Sequence, residues 1–349
     1  MKKTHKLLSL VLALAMSLSL VACGGSSNSG NASSGDSSAD APAASGERKI
    51  IIAGTGLTDN HFGARALEEM KKYLDENTDT LTMEIYTNNE IGNDKDVLEA
   101  IQYGTATLNI PTPAVMANFV PAFNLLSLPF VFEDAEAAHN LLDSEWGQKL
   151  AATAESAGFK VLGIGDYGFR QLTTSKKQVN SLADYAGLKI RVMQNNLYIA
   201  TYSALGANPT PMASGEVFTA LQQNVVDGQE NPLSNIYTQK YNEVQSYILK
   251  DNHVCDFLVF AFSKEFYDSL TADEQTALQA AVDVAVNYTR EQCAADDADC
   301  EAKMADSLTI TEISDEFRQE CVDATASVRE EYGLEADEAL YTEMMEALT

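Results

Sequence analysis

Two of the chain's seven arginines, Arg170 and Arg191, sit beside strand-forming apolar residues in the middle of the sequence. A guanidinium in such a place can grip a carboxylate through two parallel hydrogen bonds. Arg191 lies within Leu188-Lys189-Ile190-Arg191-Val192-Met193, where the alternation that buries Leu188 and Ile190 turns the arginine to the opposite face near the strand's end. Spacing leaves two roles open: an anchor for an anionic ligand, or an ion pair to one of the many acids of the chain.

The second chemical feature is a compact unit from Gly206 to Pro232. A helix from about Gly215 to Gln223, apolar at Val217, Ala220 and Leu221, stops at Asn224, a residue that tolerates the left-handed conformation. Val225 and Val226 then lead into Asp227-Gly228-Gln229-Glu230-Asn231-Pro232, read as a polar turn at a strand exit, which is where open α/β sheets bind ligands. Asp96 to Gly104 echoes Glu216 to Asn224 in an acid, a Val, an Ala, a branched apolar residue and a Gln at the same offsets. The echo fits either of two readings: two amphipathic helices that each merely precede a strand, or two lobes of like topology with a cleft between them.

Other chemistries lack their residues. The four His, at positions 5, 61, 139 and 253, show no HExxH pattern or metal-type spacing, and neither a G-x-S-x-G elbow nor a phosphate loop is present. Gly54-Thr55-Gly56 lacks the third glycine of a dinucleotide site. No enzyme constellation and no cofactor or metal are therefore expected. The formal charge of −28 argues against nucleic acid and anionic lipid surfaces as partners and makes any anion site depend on a few well-placed cations.

The N-terminus indicates export. Lys2, Lys3 and Lys6 precede an apolar run from Leu7 to Ala22, the layout of a secretory signal. Leu20-Val21-Ala22-Cys23 resembles a bacterial lipobox, so Cys23 is expected to carry lipid; loss of the three signal lysines takes the charge from −28 to −31. Residues 24–47, Ser, Gly, Ala and Asn with little to bury, read as a tether with a root-mean-square span on the order of 25–30 Å. The remaining 300 or so residues exceed one ordinary core, which makes two domains the default.

Strands and helices alternate through the folded part, an α/β pattern with largely parallel strands. Strands are expected at Lys49–Thr55, Thr82–Thr87, Thr107–Thr112, Phe159–Gly165, Arg170–Ser175, Leu188–Val192, Val254–Phe262 and Thr309–Ile313. Helices are expected at Asn60–Asp75, Asp94–Tyr103, Glu133–Ala157, Ser181–Tyr185 and Asn195–Leu205, with another opened by the Thr271/Glu274 capping box and reaching about Gln292. Two acidic amphipathic helices close the chain. Cys255, Cys293, Cys300 and Cys321 are read as structural; Cys293 and Cys300 could pair only if Asp296-Asp297 broke the helix, because seven helical residues span about 10 Å.

Four linked motifs, Gly168-Phe169-Arg170-Gln171, Asp184 to Val192 (DYAGLKIRV), Gly206 to Met212 (GANPTPM) and Val226 to Pro232 (VDGQENP), occur in one order and spacing. With them the chain, from about Lys49 onward, resembles the solute-binding subunits of tripartite ATP-independent periplasmic (TRAP) transporters, the C4-dicarboxylate-binding family. The resemblance implies a two-lobed periplasmic-binding-protein-like fold, with a ligand cleft between the lobes and one long helix bridging both. The expected division is residues 1–22 as lipoprotein signal, 23–47 as lipidated Cys23 and tether, 48–167 plus about 255–295 as lobe 1, and 168–254 plus about 296–349 as lobe 2.

By the same resemblance Arg191 pairs with the substrate carboxylate, Arg170 is a second arginine near the ligand, and Asn231 hydrogen-bonds it. Asp94 and Thr112 match positions that contact ligand in some members, and Thr55, His61, Tyr167 and Phe218 are further candidates for the pocket lining. Met193 stands where several members have Pro, and Phe218 replaces a frequent Tyr. The implied function is capture of a small organic acid, a dicarboxylate or sugar acid, by a monomer lipid-anchored outside the cell membrane, and its delivery to the system's membrane permease subunits. A receptor for a sensor kinase, the binding component of an ATP-driven importer and an extracellular enzyme are the alternatives.

Overall fold

The computed structural model describes residues 48–349; the signal segment, Cys23 and the tether lie outside the described residues. Nine strands form one sheet: β1 (Lys49–Gly54), β2 (Leu81–Tyr86), β3 (Leu108–Asn109), β4 (Phe159–Thr174), β5 (Lys189–Val192), β6 (Asn208–Pro211), β7 (Gly228–Asn231), β8 (Tyr247–Ser263) and β9 (Thr309–Glu312). Their order is β2-β1-β3-β8-β4-β7-β5-β6, with β9 beside β8. The wings, β2-β1-β3 and β7-β5-β6, are parallel as expected, whereas β4 pairs antiparallel with both β8 and β7, and β3 pairs antiparallel with β8. Largely parallel pairing thus holds for the wings and fails at the centre.

The two central strands are long because they run through both lobes. Phe159–Gly165 and Arg170–Ser175, expected as separate strands, are one 16-residue strand kept continuous by register shifts against β8 at Val161/Gly163, Asp166/Gly168 and Arg170/Leu172. A bulge inserts a residue and bends the strand without ending it. At the middle shift Gly168 has φ +111°, and a Cβ there would stand 2.8 Å from Asp297 Oδ2 and 3.2 Å from Cys293 Sγ. Gly is required at that point by both conformation and space.

Asp297 belongs to the 33-residue helix Ala272–Met304, opened by the expected Thr271/Glu274 capping box. The helix passes Gln292 and is not broken at Asp296-Asp297, so Cys293 and Cys300 stay apart; all four described cysteines are free and buried. Its first part, through Leu278, Ala281, Val282, Ala285 and Cys293, packs with Phe62, Leu67 and Met70 of the first lobe. Cys300 and Met304 instead pack with Leu221, Val226 and Ile236 of the second. It is the bridging helix that the resemblance implied, about 50 Å long.

Local chemistry accounts for the other departures. Glu133–Ala157 is two helices, Ala135–Leu142 and Glu145–Thr153, because Ser144 caps the second by accepting from Trp146 N. Gly158 ends the segment with φ +87°, as Gly104 (+73°) and Asn224 (+57°) end the two echoing helices. The last helix, Ala326–Ala347, packs Val328, Leu340 and Met344 in one cluster with Phe123, Leu126, Trp146 and Leu197, and Trp146 Nε1 donates to Leu340 O at 2.8 Å. Among the described residues no helix is long and apolar enough to cross a membrane.

Replacement of the crossover glycine tests this packing. Gly168→Ala should cost at least about 2 kcal/mol in urea unfolding, since left-handed strain adds to a clash with the bridging helix. Gly104→Ala, where nothing lies within 4 Å of the new Cβ, should cost only about 1 kcal/mol. Equal costs would contradict the close approach of the bridging helix to β4.

Candidate ligand-binding site

The strand exits of both lobes converge on one cavity of ≈ 70 Å³. The first lobe contributes Gly56 and Leu57 after β1, Asn93 to Lys95 at a helix start, and Thr112, Val115 and Asn118 after β3. Arg191, Met193 and Gln194 come from the end of β5, Met212 to Ser214 from the exit of β6, and Asn231, Asn235, Gln239 and Tyr241 from β7 and the chain after it. Tyr167 and Arg170 reach it from the crossover of β4. Cross-lobe bonds border it: Gln239 Nε2 donates to Gly56 O at 3.1 Å and Asn118 Nδ2 to Gln194 O at 3.1 Å.

The two arginines have different electrostatic surroundings. Arg170 is fully buried: Nε donates to Glu230, Nη1 to Asp256 Oδ2 at 2.6 Å, and Nη2 to Glu230 O at 2.6 Å and Asn231 Oδ1 at 3.1 Å, while Cζ sits 5.7 Å from the Tyr198 ring centre. Two carboxylates already answer its charge. Arg191, 3% exposed, donates Nε and Nη2 to Met212 O at 3.1 and 2.8 Å, and among the described residues no carboxylate lies within 4.0 Å of it. Ile190 and Val192 are buried on the sheet's other face, as the alternation predicts. Burial depresses the Arg191 guanidinium below its ordinary range, Tyr241 and Glu230 only partly opposing. Its Nε–Nη2 edge is taken by a carbonyl; the Nη1–Nη2 edge keeps donors for an incoming anion.

The segment Gly228–Asn231, expected as a polar turn, is the buried strand β7, made possible because its polar side chains are satisfied inside. Asn231 Oδ1 also accepts from Asn235 Nδ2 at 2.9 Å, Asn231 Nδ2 donates to Gln229 Oε1 at 2.5 Å, and Gln229 Nε2 donates to Thr173 Oγ1 at 3.0 Å. Behind Glu230, His253 Nε2 lies 3.2 Å from Glu230 Oε2 and Nδ1 lies 2.8 Å from Asp251 Oδ1. Burial alone would lower that imidazole, but Asp251 and then Glu230 outweigh it and push it up to about 9. A protonated His253 therefore helps hold Glu230 as a carboxylate beside Arg170.

Of the remaining candidates the structure brings Asp94, Thr112 and Tyr167 to the cavity. Asp94 Oδ1 accepts from Gly56 N and Asn109 Nδ2, each at 3.2 Å, and its carboxyl is raised because burial outweighs both bonds. Thr112 Oγ1 donates to Met193 Sδ at 3.3 Å. Thr55, His61 and Phe218 lie outside the lining. Thr55 Oγ1 accepts from Leu57 N behind the wall, and half-buried Phe218 packs in the core of the second lobe. His61 is the buried cap of Phe62–Asn77: Nδ1 accepts from Gly63 N at 3.0 Å, the ring centre is 5.4 Å from that of Tyr167, and burial, then Arg65, lowers its pKa to about 3. Missed from sequence were Asn235, Gln239 and Tyr241; the four-residue spacing of Asn235 and Gln239, along the helix Leu233–Thr238 and its C-cap, was the visible signal.

These two histidines set opposite pH dependences. His253, raised from 6.5 to about 9, contributes stability below pH 6.5 that is lost as pH rises through 9, by about 3 kcal/mol at most. His61, lowered to about 3, resists protonation, so stability falls as pH drops below 6.5. Urea midpoints should peak near neutrality; His253→Gln should flatten the alkaline limb and His61→Gln the acid limb. An alkaline limb that survives His253→Gln would contradict the assigned charge of the network.

Comparison with known proteins agrees with this geometry. The DctP family, bacterial extracellular solute-binding protein family 7, matches residues 53–335. A solute-binding protein of Verminephrobacter eiseniae is 36% identical over 262 residues, 74% of this chain and 78% of its own. The C4-dicarboxylate-binding periplasmic protein DctP of Rhodobacter capsulatus is 36% identical over 231 residues, 65% of this chain and 67% of its own. Among solved structures, the sugar acid binding protein of Advenella mimigardefordensis in complex with galactonate superposes with a TM-score of 0.84 at 30% identity, covering 86% of this chain and 98% of that one. Such proteins bind and do not catalyse. With a two-lobed fold, a cleft at the strand exits and a match across most of its length, this chain belongs to the DctP family of bacterial extracellular solute-binding proteins.

Proposed function

We propose that this protein captures a small organic acid, a dicarboxylate or a sugar acid, by pairing its carboxylate with Arg191, and delivers it to a TRAP-type secondary transporter. The observation that carries the reading is a buried guanidinium in the cleft with no carboxylate partner and one free edge. An unpaired buried cation is costly, and an anionic ligand relieves that cost. Relatives that bind C4-dicarboxylates and galactonate support the ligand class. Asn231, Asp94, Thr112 and Tyr167 contact the ligand in this reading; Arg170 aligns Asn231 rather than carrying the ligand's charge, and Thr55, His61 and Phe218 shape the wall from behind. The lobe boundary falls at the crossover near Gly168, and the last helix goes with the first lobe.

In the mechanism, ligand bridges the two walls, the lobes close by hinge motion, and the closed form docks on the permease subunits, which release the acid into an ion-gradient-driven path. The chain acts as a monomer held outside the cell membrane by lipid on Cys23, a step that rests on the sequence motif. Arg191→Ala should weaken acid binding in calorimetric titration by well over tenfold, about 2–5 kcal/mol, while the ligand-free melting temperature stays close to that of the parent. Arg191→Lys, which keeps the charge but loses the fork, should recover only part of the loss. Unchanged affinity in Arg191→Ala would remove the anchor and the reading with it.

A further inference from the structure

The pocket's charge inventory separates ligand classes that the anchor alone admits. Four charged side chains line it: Asp94, Lys95, Arg170 and Arg191. Arg170 is neutralised by Glu230 and Asp256, and Lys95 is about half exposed at the mouth, with Nζ 4.0 Å from Glu99. That leaves one uncompensated cation within the cavity, Arg191 on the second lobe, and one carboxylate, Asp94 on the first. Asp94 Oδ1 is occupied by Gly56 and Asn109, and no described residue donates to Oδ2. The rest of the polar lining is amide and hydroxyl, and the Tyr167 and Tyr241 rings add flat apolar surface.

A dicarboxylate held by Arg191 would bring its second carboxylate toward this wall, which offers it no free buried cation and an acceptor of the same sign. Like charges in a partly desolvated site repel several-fold more strongly than in water. A hydroxyl has the opposite fit: it donates to a carboxylate and accepts from an amide, so each hydroxyl of a chain or ring finds partners on a wall of this composition. Resting on the Arg191 anchor, we infer that the pocket selects a polyhydroxylated monocarboxylate, an aldonic or uronic acid, over dicarboxylates, with Asp94 accepting from a hydroxyl at the far end and excluding a second carboxylate there.

Matched pairs differing only at that end supply the test. D-gluconate against D-glucarate and D-galactonate against galactarate exchange a terminal CH₂OH for a carboxylate with the other hydroxyls unchanged; succinate and 6-aminohexanoate complete the set. Calorimetric titration of the full-length protein should show the better aldonate, or D-glucuronate, binding at least tenfold tighter than any diacid. Asp94→Asn should weaken the monoacid and narrow that ratio at least threefold. A diacid binding as tightly as the monoacid, or a ratio untouched by Asp94→Asn, would overturn the inference, as would tighter binding of 6-aminohexanoate, which would assign Asp94 to an ammonium. Arg191→Ala distinguishes the levels: if it abolishes binding while a diacid is preferred, only the selectivity fails. If it changes nothing, or if neither class of acid binds, the anchor fails too.

Discussion

The ion cluster Asp251–His253–Glu230–Arg170–Asp256 is the constraint on which the ligand site depends. Charges this deeply buried persist only when paired and hydrogen-bonded, and here each of the five meets at least one opposite partner. The cluster sits where β4, β7 and β8 run side by side at the change from one lobe to the other. It fixes the exit of β7 and hence Asn231, and it consumes the charge of the arginine nearest the crossover. Arg191, one strand further out, is left as a buried cation with no carboxylate within 4.0 Å among the described residues.

The position of Arg191 follows from ordinary strand physics. Its neighbours Ile190 and Val192 are fully buried on one face, its register is fixed by parallel pairing with Thr210 and Gln229, and the Met212 carbonyl holds one edge of the guanidinium. Little rotamer entropy remains to be lost when an anion arrives. The cleft thus combines a pre-oriented donor with walls that the bridging helix and the two long strands connect through the crossover around Gly168. In the function we propose, anchoring of the ligand and closure of the lobes are coupled because the same molecule must satisfy both walls.

Much of this was legible in the sequence, for identifiable reasons. Helix caps are local, so the Thr271/Glu274 box and the left-handed stops at Gly104 and Asn224 were readable, and period-two alternation turned Arg191 to the correct face. Features set by long-range pairing were not. β4 read as two strands, Phe159–Gly165 and Arg170–Ser175, because the pairing with β8 that keeps it continuous past Gly168 is remote in sequence. Gly228-Gln229-Glu230-Asn231 read as a polar turn at a strand exit because the partners that satisfy it, Arg170, Thr173 and His253, come from other strands. For the same reason the sequence could name both arginines but not tell which one was already paired. The order of the motifs pointed to Arg191, and the geometry supplies a physical ground for that preference.

A crystal structure with a bound acid tests the account most directly. The carboxylate oxygens should lie on the Nη1–Nη2 edge of Arg191 at about 2.7–2.9 Å, with Met212 O still on the other edge and Arg170 still bonded to Glu230 and Asp256. A ligand carboxylate bound to Arg170 after displacement of Glu230, or an Arg191 turned to a protein acid while the ligand binds elsewhere, would contradict it.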